Sequence, residues 1–206
     1  NPTEAGGTFI RNNTGSEQQW YDIVFDGNNG IAKNFKANYQ FGAIYKDNTT
    51  SLDILTASGL NIPNKFSLDY ATTPIMSSSA TEIQTQSVFG QLNLSYKDAI
   101  YIDGSLRNDW SSLLPAPHSF QYYSAGVSAI LSSLFTLPES ISYLKTSINY
   151  AEVGNGGQFG LLTSTYNYQA GAGNGYLLRS LVLPFPNLKP EIVKNTEVNA
   201  EIRFLH

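Results

Sequence analysis

The sequence predicts an all-β chain, an antiparallel up-and-down meander of about seven strands. Three observations predict it. Runs of roughly ten residues alternate between apolar and polar, the period of a strand with two unlike faces. The connections between the runs alternate between short and long. Only 14% of the 206 residues are charged, and 13 Tyr and 11 Phe suit β-structure with much of its surface away from bulk water.

The first run, "QQWYDIVF", alternates least cleanly. In "FKANYQFGAIY", Phe35, Ala37, Tyr39, Phe41, Ala43 and Tyr45 share a face, while Lys36, Asn38, Gln40 and Lys46 share the other. The third run sets Val88, Gly90, Leu92, Leu94 and Tyr96 against Gln91, Asn93, Ser95 and Lys97. The fourth sets Ile100, Ile102, Gly104 and Leu106 against Asp103, Ser105, Arg107 and Asp109. Ala125, Val127, Ala129 and Leu131 make the next apolar stripe. Leu144, Ile148 and Tyr150 then oppose Lys145, Ser147 and Asn149. In the last run Val198, Ala200, Ile202 and Phe204 oppose Glu197, Asn199, Glu201 and Arg203. No convincing helix lies between them.

The connections sort by length. "DGNNGIAKN", "KDA" and "SSLFTLPESIS" are short or moderate. The segment from Ser58 to about Glu82, then "SSLLPAPHSF", and then a loop of about forty residues from Val153 to about Val193 are longer. In a meander, alternate connections lie at opposite ends, so the short turns collect at one rim and the long loops at the other. Outer-membrane barrels show this asymmetry as a rule. Runs of about 9–11 residues are also what a tilted membrane strand needs. The apolar stripe then faces lipid and the charged stripe a wet lumen. Aromatics fall near both rims: Tyr96, Tyr101 and Tyr143 beside the short turns, and Trp110, Tyr122 and Tyr123 beside the long loops, where interfacial rings belong.

Composition excludes several classes. A net charge of −4 without a basic cluster argues against nucleic acid. The absence of cysteine removes disulfides and thiolate metal sites. No apolar run approaches the length of a transmembrane helix, which leaves a barrel open. No catalytic set appears. His118, in "LPAPHSF", and His206 are the two histidines, and neither has a triad context. Asp103 and Asp109 lie about 20 Å apart along a strand, too far for paired carboxylate chemistry. "GNGGQFG" and "GAGNG" lack a Walker lysine and read as loop.

The motifs resemble one family. "SVFGQLNLSYKDAIYIDGSLRNDWSSLLP" is similar to the barrel hairpin of SusC/RagA-type TonB-dependent outer-membrane transporters, whose pattern there is roughly Ser-aromatic-Gly, then Ser-Tyr-Lys-Asp/Asn, then an Arg-x-Asp-x-Ser-Ser element. "YYSAGVSAIL", "LKTSINYAEVGN" and "NLKPEIVKNTEVNAEIRF" resemble later strands of the same barrel, in the same order. The matches run from about Gln84 to Phe204. The resemblance implies a barrel of about twenty-two strands around an N-terminal plug. It makes residues 1–206 a partial segment of that large transmembrane β-barrel, with no plug and no TonB-interacting segment.

The resemblance further implies a Gram-negative outer membrane and import of large nutrients, glycan or peptide. The implied partners are the rest of the barrel and plug, a SusD-like surface lipoprotein, the TonB complex and outer-membrane lipid. It implies no enzyme activity, cofactor, metal or nucleic acid. Three extracellular loops, around 58–82, 111–120 and 154–192, would carry Trp110, Tyr122, Tyr166 and Tyr168 as platforms for sugar stacking. The competing reading is a secreted all-β glycan-binding or adhesion module. It accounts for the low charge and the tyrosines, but not for the rim asymmetry.

Overall fold

The computed structural model describes residues 7–164, 166–169, 174–181 and 183–204. Among the described residues there are nine strands: β1 (Thr8–Ala32), β2 (Phe35–Leu60), β3 (Ala71–Tyr96), β4 (Ile100–Ser111), β5 (Ser119–Ile130), β6 (Ile141–Asn155), β7 (Tyr166–Gln169), β8 (Tyr176–Arg179) and β9 (Glu191–Phe204). Seven form one sheet in the order β1-β2-β3-β4-β5-β6-β9, and β7 and β8 form a separate hairpin. The predicted seven-stranded meander is therefore observed. Among the described residues the helical content is one turn, α1 (Leu131–Leu134), and a short 3-10 segment at Leu68–Tyr70.

The chain divides into two compact units, residues 1–19 with 46–84 and residues 20–45 with 85–206. In the second unit the registers line residues up in rows across the sheet. Leu94 lies opposite Ile102, Ile102 opposite Val127, Val127 opposite Ile148, and Ile148 opposite Val198. One step along, Asn93, Asp103, Gly126, Asn149 and Glu197 form the matching row on the other face. Because side chains alternate at period two, these neighbouring rows must face opposite ways.

The turns joining these strands are tight. Between β3 and β4, Lys97 and Asp98 both have positive φ, +53° and +51°, and the Ala99 N–H donates to the Tyr96 carbonyl at 3.0 Å. This is a type I′ turn, whose twist matches that of the flanking strands. The turn between β1 and β2 is Lys33–Asn34, shorter than "DGNNGIAKN" suggests, because β1 continues to Ala32. The two turns are tied together by the Lys97 N–H donating to the Asn34 carbonyl (2.8 Å) and by Lys36 with Asp98 (2.7 Å).

The first unit departs from expectation. The segment from Ser58 to Glu82 is mostly strand rather than loop: β2 runs on to Leu60, β3 begins at Ala71, and the connection shrinks to 61–70. Strands of 25 and 26 residues exceed twice what a bilayer needs. Thr, Ser and Asn populate both faces here, so the backbone is strand-forming while no apolar stripe announces it. Pro74 is tolerated because β4 pairs only Thr85–Tyr96, leaving that part of β3 outside the β4 ladder. The connection is fastened by its own groups. Gly59, at φ +65°, and Leu60 donate to the Gly7 carbonyl, Thr72 Oγ1 donates to the Gly59 carbonyl at 2.6 Å, and Phe9 meets Phe66 at 6.1 Å.

The connection between β6 and β9 is also not a bare loop, since β6 extends to Asn155 and the β7–β8 hairpin sits within it.

Candidate functional site

The sheet is inverted relative to a water-soluble domain. In the central row, Ile102, Val127, Ile148 and Val198 are 45–76% exposed. Among the described residues, the buried apolar set is only Ala37, Ala57, Leu60, Ala99 and Leu114, while Ser87, Ser95, Asp109 and Ser111 are buried polar groups. The accessible surface is 14600 Å², against about 9,500 Å² for a globular monomer of this mass.

The apolar face ends in aromatic groups. At the long-loop end Tyr21 lies 6.2 Å from Tyr45, and Tyr123 lies 5.7 Å from Tyr150. Trp110 joins Tyr21, Tyr45 and Val88 around one apolar depression. At the short-turn end Phe35 meets Tyr96 at 4.6 Å, with the Lys97 ammonium 5.3 Å above the Tyr96 ring. Just past the Tyr150 position, Lys194 lies 3.0 Å from Glu152, and the Tyr150 hydroxyl donates to Glu152 at 2.6 Å. The tyrosine hydrogen bond first, then Lys194, hold the Glu152 carboxyl below its ordinary value. Rings backed by an ion pair at one rim, and a ring under an ammonium at the other, are what a headgroup layer accommodates.

The opposite face is polar and largely self-satisfied. Arg107 Nε donates to Asp109 (2.8 Å), Arg107 Nη2 donates to Ser87 (2.9 Å), and the Tyr122 hydroxyl donates to the other Asp109 oxygen (2.8 Å). Register explains the meeting: Arg107 lies opposite Tyr122, and Ser87 opposite Asp109. Gly154 leaves room for Phe120 and Tyr122 to lie over β6, since a Cβ there would stand 2.4 Å from the Phe120 ring. Below this network the face turns to amides and hydroxyls. Gln91 donates to Gln40 at 2.6 Å, Ser105 bonds Ser124 at 2.7 Å, and a depression of about 500 Å³ is lined by Asn38, Gln40, Gln91, Asn93, Asp103 and Ser105, among others.

The four proposed stacking residues do not form one cluster. Trp110 and Tyr122 are strand residues on opposite faces, Trp110 on the apolar side and Tyr122 in the Asp109 network. Tyr166 and Tyr168 share one side of β7, both more than half exposed, with the Tyr168 hydroxyl donating to the Asn174 carbonyl at 3.1 Å. The rim aromatics divide likewise: Tyr96 and Trp110 lie on the apolar side, whereas Tyr101 bonds the Asp98 carbonyl and Tyr143 stacks under Arg203. His118 is structural, its Nδ1 bonded to the Leu114 carbonyl within the β4–β5 connection. His206 lies outside the described residues. Among the described residues no acidic or histidine group is placed to hold a metal.

An inverted sheet with girdled rims is a barrel wall, and comparison with known proteins supplies the family. A family model described as TonB dependent receptor-like, β-barrel, matches residues 1–206. The chain belongs to the TonB-dependent receptor β-barrel family. That family is one of outer-membrane barrels, so this stretch is barrel wall. Solved structures agree in fold. A structure of the RagAB peptide transporter superposes with a TM-score of 0.82 at 16% identity, over 93% of this chain and 22% of that one. The RagAB peptide importer in its "closed-closed" state gives 0.82 at 17% identity over 94% and 22%. The "open-open" state gives 0.70 at 18% identity over 93% and 21%. This TonB-dependent receptor segment thus spans about a fifth of the chains it matches. No curated protein matches it.

Sequence reasoning missed the Arg107–Asp109–Tyr122–Ser87 network, although the strand parity that puts Arg107 and Asp109 on one face was readable.

Proposed function

We propose that this chain is part of the wall of a TonB-dependent importer in a Gram-negative outer membrane, taking up large polar nutrients, oligosaccharide or peptide. A SusD-like surface lipoprotein is the co-receptor and the TonB complex supplies the energy. The observation that carries this reading is the inverted sheet, a continuous apolar row across five strands, exposed on four of them and backed by a polar row. A secreted module would bury one of those rows. The neighbours' association with peptide transport supports the import reading. Tyr166 and Tyr168, exposed on the β7–β8 hairpin, are the proposed stacking platforms, with Tyr122 a lumen-side candidate. Trp110 fits the interfacial girdle better than a sugar platform.

The test is growth of the native host on defined glycans or peptides as sole nutrient, with the full-length gene intact, deleted, or intact in a strain lacking TonB. Loss of growth on the same nutrient in both mutants is expected. Unimpaired growth on every nutrient without the gene would remove the import reading. Affinity purification of the full-length protein from outer membranes should bring down a lipoprotein.

A further inference from the structure

We propose that the connection between β5 and β6 is a membrane anchor that seats Phe135 against the phospholipid leaflet at the short-turn rim. This rests on the outer-membrane barrel reading. The other two connections at that rim are turns of two and three residues, while this one spans residues 131–140 between strands already paired at Ile130 and Lys145. A hairpin needs no such length, so the extra residues require another account.

Leu131 continues the lipid-facing series Tyr123, Ala125, Val127 and Ala129. Helix α1 then makes one turn, and the Phe135 N–H donates to the Leu131 carbonyl at 2.9 Å. Phe135 follows this turn as its extended C-cap, one turn along the chain from Leu131 and past the end of the strand. It is 64% exposed. The run Leu131–Leu137 carries no charge, and the first charge is Glu139 beyond Pro138. The first end is pinned to the neighbouring turn by the Ile130 N–H on the Ala99 carbonyl (2.7 Å), and the far end closes in a turn of its own, the Ile141 N–H donating to the Pro138 carbonyl (2.9 Å). The apolar turn is thus held at the rim. At the neighbouring turns the Phe35–Tyr96 pair and Lys97 already have the character of headgroup contacts. Continuity with that belt makes lipid the occupant.

Nitroxide labels on Phe135→Cys, Glu139→Cys and Val127→Cys in the full-length protein, freed of other cysteines and placed in phosphatidylcholine nanodiscs, test it. This chain contributes no cysteine of its own. Collision with oxygen, which partitions into lipid, is compared with collision with a water-soluble nickel chelate. The expected oxygen-to-nickel ratio at Phe135 is several times that at Glu139 and approaches that at Val127. A lipid-like Val127 with Phe135 as water-exposed as Glu139 overturns the anchor while leaving the barrel reading intact. A water-like Val127 overturns both.

Discussion

Two adjacent residues give the sharpest test of the inverted sheet. Leu92 sits midway along the β3 apolar stripe, four residues from Val88 and four from Tyr96, and is 45% exposed. Gln91 precedes it on the other face, bonded to Gln40. Four residues along a strand tilted by about 40° place Leu92 some 10 Å below either end of the stripe. An arginine there only partly escapes by snorkelling, so Leu92→Arg should destabilise the full-length barrel in a bilayer by about 2–4 kcal/mol. Gln91→Arg, on a wet wall, loses one side-chain hydrogen bond and should cost about 1 kcal/mol or less. Equilibrium unfolding in guanidinium, read from the heat-modifiable folded band in phospholipid vesicles, gives both values by linear extrapolation. On a soluble sheet a half-exposed leucine tolerates arginine to within about 0.5 kcal/mol. Equal costs at the two positions would refute the face assignment, and with it the barrel reading.

Further outcomes follow from the lumen wall and the rim. Asp109→Ala leaves the Arg107 guanidinium and Tyr122 hydroxyl without their shared acceptor and should cost about 1–3 kcal/mol, while Asp109→Asn should recover part of it. The same unfolding assay reads both. Gly154→Ala pushes a methyl into the Phe120 ring and should cost about 1–3 kcal/mol and change the near-ultraviolet circular dichroism, whereas an unchanged spectrum would mean the rings move freely aside. The Glu152 carboxyl titrates below its ordinary value near 4.5, so the stability it contributes is present above that pH and is lost as the pH falls through the lower folded value. The stability gap between the native protein and Glu152→Gln should therefore narrow on acidification, and a constant gap from pH 7 to about 3 would contradict the pairing. The isolated 206-residue chain exposes its apolar row and should self-associate in plain buffer. A monodisperse monomer by light scattering would count against the lipid-facing assignment.

The β3–β4 hairpin was fully legible, because strict alternation fixed its faces and the "KDA" turn fixed its register. Sequence parity also places Arg107 with Asp109 and separates Trp110 from both. Applied to the rim aromatics, the same parity puts Tyr122 and Tyr123 on opposite faces, as the registers confirm. The meeting of Tyr122 with Asp109 was not legible, since it depends on how β5 slides against β4 and the connection 112–118 leaves that open. The length of β3 was hidden for a different reason. Where both faces carry Ser and Thr, as in "TTPIMSSSATEIQTQ", period two is physically present but chemically silent. The β7–β8 hairpin, with four residues a side, is too short for a period to register.

The way charge is handled on the polar face bears on what such a wall does. Each of three cations there has a carboxylate within reach on the same face: Lys36 with Asp98, Arg107 with Asp109, and Arg203 with Glu201. Paired in this manner, they offer little net field to anything passing in front of them. The depression beside them is lined mostly by amides and hydroxyls, Asn38, Gln40, Gln91, Asn93 and Ser105 among them, together with the carboxylates of Asp26 and Asp103. A neutral hydrogen bond exchanged with water is worth only about 1 kcal/mol net. Such contacts are individually weak enough to break and numerous enough to keep a polar surface wetted. On the proposed reading the wall therefore guides without gripping. An unpaired charge introduced there, by Asp109→Asn for example, should slow passage of an oppositely patterned cargo as well as destabilising the barrel in part. Uptake rates of anionic and cationic cargoes in that variant would show whether the pairing serves transport or only folding.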